Sequence, residues 1–161
     1  MSFFLAVDPV EELRYLVLAT QRDGNRALAA LLRPLGVTPA QAEVIGVLAD
    51  AARPLTVSEV GELLVCEPGS PSRLVSSLVA AGLVARGAHE RDGRAAALAL
   101  TDAGNRLARR IRAAEEEFHA ELRSRMGSQR DTEAALRALR RLAGDGASAA
   151  ALERRRAIMP R

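Results

Sequence analysis

Residues 56–101 constrain this chain more than any other stretch: two short apolar helical stripes, a proline-containing connection between them, and two strand-like runs around an arginine-tipped turn. Thr56 and Ser58 can each cap exposed backbone N–H groups, and Glu59 and Glu62 suit the positive end of a helix. Val60, Leu63 and Leu64 fall on one face of it. After Cys66-Glu67-Pro68-Gly69, Ser70 is placed to cap a second helix with Pro71 in its first turn, where a missing N–H costs nothing. Leu74, Val75, Leu78 and Val79 form the apolar stripe of that helix, which leaves Ser72, Arg73, Ser76 and Ser77 facing outward. Gly82 suits the left-handed residue that ends it. A small polar face with one Arg, presented by the second helix of such a pair, is what a reader of the DNA major groove requires.

The rest of the composition decides what surrounds this unit. A chain of 161 residues is long enough to bury a substantial core as one domain. Its aromatics are only Phe3, Phe4, Tyr15 and Phe118, so the core is built from Leu, Val and Ala, which favours close-packed helices over a β-sandwich. Lys is absent, and every fixed cation is a guanidinium that can grip phosphate or guanine with two parallel hydrogen bonds. The formal net charge of +3 is modest, so nucleic-acid binding has to rest on where the charge lies. Cys66 is the one cysteine and excludes an internal disulfide or a multi-cysteine zinc site. No apolar run approaches the roughly 20 residues of a membrane span, and the acidic start of the chain does not read as a signal peptide. A cytoplasmic protein without cofactor, metal or membrane partner is expected.

Residues 8–35 read as a long helix, with Asp8-Pro9 as cap and first helical position and Val10, Leu13, Val17, Leu28, Leu31 and Leu35 at helical spacing. Asp23-Gly24-Asn25 should weaken or bend it, since Gly costs about 1 kcal/mol against Ala in a helix interior. Thr38-Pro39 restarts a helix to about Asp50 that buries Ala42, Ile45, Leu48 and Ala49. Leu55 can form a short strand. Residues 83–86 and 95–100 read as the strands of a hairpin with turn chemistry at 90–93. From Thr101 another long helix carries Leu107, Ile111, Ala114, Phe118, Leu122 and Met126 as a near-heptad seam, with Arg106, Arg109, Arg110 and Arg112 to solvent. Asp131 or Thr132 is expected to cap a further helix with Leu136, Leu139 and Leu142 in line, and a last short helix is expected over 147–158. Terminal helices with exposed Leu/Ile/Phe stripes need a partner, and a two-fold dimer is the simplest one. The fold class that emerges is mainly α with a small β-hairpin wing: a winged helix-turn-helix lobe over 38–101, and dimerisation helices over 8–35 and 102–158, within a single domain spanning 1–161.

The chain resembles the MarR (multiple antibiotic resistance regulator) family of bacterial transcription factors from about Val10 to Leu142. The resemblance is carried by Thr56-Val57-Ser58-Glu59-Val60-Gly61-Glu62-Leu63, then Ser72-Arg73-Leu74-Val75, then Ala81-Gly82-Leu83-Val84-Ala85-Arg86. It is carried also by the wing motif Asp92-Gly93-Arg94 with Leu98-Ala99-Leu100-Thr101 and Ala103-Gly104 behind it. Pro71 departs from it, standing where the family usually has an aliphatic residue. The resemblance implies a homodimer whose terminal helices pair, two winged lobes on a pseudo-palindromic operator, and regulation by a small ligand or by oxidation. It also implies that Arg94 enters the minor groove, where a narrow groove concentrates negative potential.

The residues expected to touch double-stranded DNA are Ser70, Ser72, Arg73, Ser76, Ser77, Arg86, Arg91 and Arg94. Arg73 either reads guanine or meets a phosphate or an internal carboxylate, whereas the serines suit phosphates and water better than bases. Arg86 and Arg91 suit phosphates, and Asp92 supports the wing by holding its turn or orienting an arginine. Cys66 is either a small buried hydrophobe or a thiol whose oxidation displaces the reading helix. His89 and His119 do not have metal-ligand spacing. No nucleophile–base pair or phosphate-binding loop appears, so a non-enzymatic regulator is expected: a dimeric sequence-specific repressor released by a small-molecule effector. The competing readings are a redox-sensing regulator acting through Cys66 and a winged-helix protein-interaction module that does not bind DNA. An effector pocket is expected between the terminal helices and the winged lobe, near Tyr15 or Ile45.

Overall fold

The computed structural model describes residues 8–65, 70–88 and 96–158. Helix α1 spans Pro9–Leu32; the Asp8 carboxylate caps it by accepting from the Val10 N–H at 3.0 Å. It runs without a break through Asp23-Gly24-Asn25, and a Cβ on Gly24 would lie 3.7 Å from the Phe118 ring, so the glycine sits where another helix crosses. A single 3-10 turn, Arg33–Leu35, ends on Gly36 at φ 74°.

Helix α2 spans Pro39–Asp50 and α3 spans Val57–Leu63. Both open on reciprocal caps: the Thr38 hydroxyl accepts from the Gln41 N–H and the Gln41 side chain accepts from the Thr38 N–H, and Thr56 and Glu59 repeat the arrangement. Helix α2 is buried on more than one side. Ala42, Val44, Ile45, Val47 and Leu48 all join the core, and Glu43 is buried among them. Ala49, expected inside, is exposed because the stripe turns away from it in the last turn.

Helix α4 spans Pro71–Ala80 with Ser70 at the cap position, where its side chain, expected to cap the helix, makes no capping hydrogen bond, and Gly82 follows at φ 70°. Strands β1 (Val84–Ala88) and β2 (Ala96–Leu100) pair antiparallel with Val84 opposite Leu100 and Ala88 opposite Ala96. Leu55 adds a bridge to Leu98 on the far side of β2, as its position between helices suggested.

Helix α5 spans Asp102–Met126, α6 spans Gln129–Ala143 and α7 spans Ala147–Ile158. The cap of α6 is Ser128 rather than Asp131 or Thr132, and Asp131 is instead the third helical residue that answers it. Burial fades along α5: Leu107 and Ile111 lie in the core, Ala114, Phe118 and Leu122 are half-buried, and Met126 is exposed. The helix therefore roots in the lobe and leaves it. The core gathers Leu32 of α1, Ile45 of α2, Val60 of α3, Val75 and Leu78 of α4 and Leu98 of β2 at its centre. Helix α7 returns to pack on α3, with Ala151 buried. Among the described residues, no helix is long and apolar enough to cross a membrane.

Candidate nucleic-acid interface

Helix α4 is seated on α3 at close range, because Gly61 has no side chain: a Cβ there would come within 3.1 Å of the Pro71 ring. The proline that departs from the expected aliphatic residue thus packs closely over Gly61, where a Cβ would be a tight fit. Val75 and Leu78 are buried beneath α4, with Leu74 and Val79 half-buried at its edges. Ser70, Ser72, Arg73, Ser76 and Ser77 are exposed together on its outer side, as the periodicity required.

The structure distinguishes among these residues in a way the sequence does not. Ser77 is internally satisfied: its Oγ donates to the Leu74 carbonyl at 2.8 Å and accepts from Gln41 Nε2 at 3.1 Å. Ser76 Oγ accepts from Arg86 Nη2 at 3.1 Å. Arg86, expected to serve phosphate, is exposed on β1 and ties that strand to α4. The side chains of Arg73 and Ser72 make no hydrogen bond or ion pair with any described residue, so their polar groups face outward. Gln41 is a member of this face that periodicity missed. Its contact spans 36 residues of sequence, and only the Thr-x-x-Gln capping signature marked where its side chain would stand. Cys66, Arg91, Asp92 and Arg94 lie outside the described residues.

The base of the wing is fixed by Thr101. Its hydroxyl accepts from the Gly104 N–H at 3.1 Å, opening α5, and donates to the Gly82 carbonyl at 2.7 Å. The Thr101 N–H donates to the Leu83 carbonyl at 3.1 Å. One residue therefore joins the end of α4, the start of β1 and the start of α5.

Behind this face lies a cavity of about 440 Å³ between α2, α5 and α7. Its floor is small and apolar (Ala42, Gly46, Ala108, Ile111), and its rim carries Asp50, Arg112, Glu115, Glu116, His119 and Arg155. Arg112 Nη2 meets Asp50 Oδ1 at 2.6 Å across the mouth, and burial pushes the half-buried Glu115 carboxyl above its ordinary range. Neither residue expected to mark such a pocket lines it. Ile45 is wholly buried in the core, and Tyr15 is exposed on α1 with the Arg14 guanidinium 4.3 Å from its ring centre. At the edge of this cavity, the Arg155 guanidinium meets the buried Glu43 carboxylate at 2.8 Å, and the same Glu43 oxygen accepts from the Val65 N–H at 2.8 Å. A second bond, from Arg154 Nε to the Glu62 carbonyl at 3.0 Å, holds α7 to α3. No cluster of three or more His, Cys, Asp or Glu that could hold a metal exists among the described residues.

Residues 35–95 match the model of the MarR family. Among solved structures, the fold is similar to a mutant MarR from E. coli complexed with operator DNA (TM-score 0.73, 23% identity, covering 88% of this chain and 99% of that one). It is similar also to the MepR–DNA complex of S. aureus (TM-score 0.73, 21% identity, 80% and 94%). An organohalide-sensing regulator bound to 2,4-dichlorophenol superposes over still more of the chain (TM-score 0.77, 14% identity, 91% and 86%). At these identities the likeness establishes the winged-helix MarR fold. Among curated proteins, no relative matches the chain.

Proposed function

We propose that this protein is a dimeric, sequence-specific DNA-binding transcriptional regulator, a repressor that two winged lobes hold on a pseudo-palindromic operator and a small-molecule effector releases. The observation that carries the reading is the outer side of α4, where Ser72, Arg73 and Ser76 stand exposed on a helix pinned from below by Val75 and Leu78. The MarR-family match over the same segment supports it. So do the solved relatives bound to operator DNA. On this reading Arg73 reaches a base edge or phosphate, Arg91 and Arg94 meet the backbone and the minor groove, and Asp92 holds the wing turn.

The dimer is supported by apolar surface at both ends of the chain. Val10, Leu13, Leu16, Val17 and Leu18 on α1 and Leu136, Leu139 and Leu142 on α6 are each more than a third exposed. On this reading 8–35 and 102–158 supply the dimer arms and 38–101 the lobe, with recognition helices about one turn of DNA apart, ~34–36 Å. The effector is supported by the cavity beside α2. That helix presents Gln41 to the reading face at one end and Asp50 to the cavity mouth at the other, about 13 Å along its axis. A cytoplasmic location follows from the same reading.

The experiment is a mobility shift on the DNA upstream of the protein's own gene, at two salt concentrations, with sedimentation to count protomers. Binding should be by a dimer and should fall by a power law as salt rises. Arg94→Ala should weaken it at least tenfold; wild-type affinity in that variant would sink the wing assignment. Salt-insensitive behaviour with no shift would favour a protein-interaction module instead.

A further inference from the structure

The hydroxyl groups on α4 look equivalent in sequence, yet their hydrogen bonds divide them. A serine hydroxyl has one hydrogen to give and two lone pairs. Ser77 has given its hydrogen to the Leu74 carbonyl, and Gln41 occupies one of its lone pairs. Ser76 has accepted from Arg86 and keeps its hydrogen, with no acceptor for it among the described residues. A guanidinium on the Ser76 oxygen also polarises the O–H bond, which strengthens it as a donor, and its positive charge repels any second donor approaching that oxygen.

Resting on the DNA-binding reading above, we propose that Ser76 is a specificity-determining residue of fixed polarity, a hydrogen-bond donor that selects a base-edge acceptor, and that Ser77 beside it, its hydrogen already given, donates to no base. In the major groove the acceptors are guanine N7 and O6, adenine N7 and thymine O4, whereas cytosine presents an amino donor. Ser76 therefore rejects cytosine at the position it faces and accepts the other three bases. Arg86 is a positioning residue for this readout: it sets which way the Ser76 hydrogen points. Gln41 has the matching role of holding Ser77 out of the readout.

The test is in vitro selection of duplexes from a randomised pool by the full-length wild-type protein and by Ser76→Ala, Ser77→Ala and Arg86→Met. The wild type should yield an operator from which cytosine is excluded at one symmetry-related pair of positions. Ser76→Ala, at an unchanged melting temperature, should level that preference and lose about two- to tenfold in affinity for the wild-type operator, the worth of one hydrogen bond. Ser77→Ala should keep the preference. Arg86→Met should blur it in the wild-type background and change it no further in the Ser76→Ala background, an outcome that loss of a phosphate contact would not give. Operators carrying 7-deazapurines at the same position separate a contact to purine N7 from one to thymine O4 or guanine O6. A wild-type operator whose preference survives Ser76→Ala, or disappears with Ser77→Ala, overturns the assignment while leaving DNA binding intact. A pool from which the wild type selects nothing overturns the assignment and the DNA-binding reading together.

Discussion

Gly104, in the first turn of α5, is where a single methyl group should do most damage to the joint between wing and arm. A Cβ there would stand 2.1 Å from the Leu83 carbonyl oxygen and 3.3 Å from Leu100 Cβ. Side-chain carbons do not approach closer than 3.0 Å, so α5 and β1 must part by about 0.9 Å. That carbonyl is also the acceptor of the Thr101 N–H at 3.1 Å, and the Thr101 hydroxyl bridges to the neighbouring Gly82 carbonyl. Over-packing costs about 1–3 kcal/mol, and each stretched hydrogen bond adds about 1 kcal/mol. Against this stands the helix-propensity gain of Ala over Gly, about 1 kcal/mol. Gly104→Ala should therefore destabilise by about 2–4 kcal/mol, a fall in melting temperature on the order of 4–16 °C for a chain of this length. Urea unfolding at fixed protein concentration reads it as a lower midpoint with an unchanged slope. Gly46→Ala in α2 is the control, since nothing lies within 4 Å of its Cβ and the same substitution should there stabilise by about 0.5–1 kcal/mol. If Gly104→Ala matched or exceeded the wild type in stability, the close approach of wing and arm would be refuted.

Two further substitutions test the polar fastenings. The Arg53 side chain and then the Thr56 N–H hold the Glu59 carboxyl down to about 2, from an ordinary 4.5. Because the folded-state value is the lower one, the ionised Glu59 favours the fold fully above about pH 4.5, and this contribution is lost as the pH falls towards 2. Solvent reaches a third of the side chain, so the contribution is on the order of 1 kcal/mol, and Glu59→Gln should flatten the stability profile in that window by as much. Arg155→Ala removes the Arg155 guanidinium from the Glu43 carboxylate, which is 7% exposed. A loss of about 1–3 kcal/mol with faster hydrogen exchange in α7 is expected, whereas Arg156→Ala, whose partner Glu153 is exposed, should cost under about 0.5 kcal/mol.

What the sequence made legible was whatever repeats locally. The caps Asp8 and Thr38, the choice of Thr56 from two candidates, the stripe of α4 and the terminator Gly82 follow from spacing within a few residues, and the stripe of α2 follows up to its last turn, where Ala49 is exposed. The cap of α6 lies three or four residues before the expected Asp131 or Thr132, both good caps by type; the reciprocal pair Ser128-x-x-Asp131 decides it. Glu43 had no local signal at all. It lies on the apolar side of α2, where a carboxylate is costly, and its counter-charge arrives from Arg155, 112 residues away. The pairing of Arg86 with Ser76 is hidden for the same reason, since a charged residue on a two-stranded wing reads as solvated until the wing is folded against the helix.

The consequence for the reading face is that its chemistry is set from outside α4. Periodicity selected the outward side chains correctly, but it ranked Ser76 and Ser77 together and gave neither a direction. The direction comes from Gln41 on α2 and Arg86 on β1, each of which approaches the helix from a different flank. Buried Val75 and Leu78 fix the height of α4, and the Gly61–Pro71 contact fixes its start. A polar face so braced has little rotamer freedom left at Ser77 and Ser76 and full freedom at Ser72 and Arg73. Discrimination among bases on this helix should accordingly divide into a rigid share at Ser76 and an adaptable share at Arg73. Only the adaptable share should tolerate exchange for Lys or Gln without a change in the base preferred beside it.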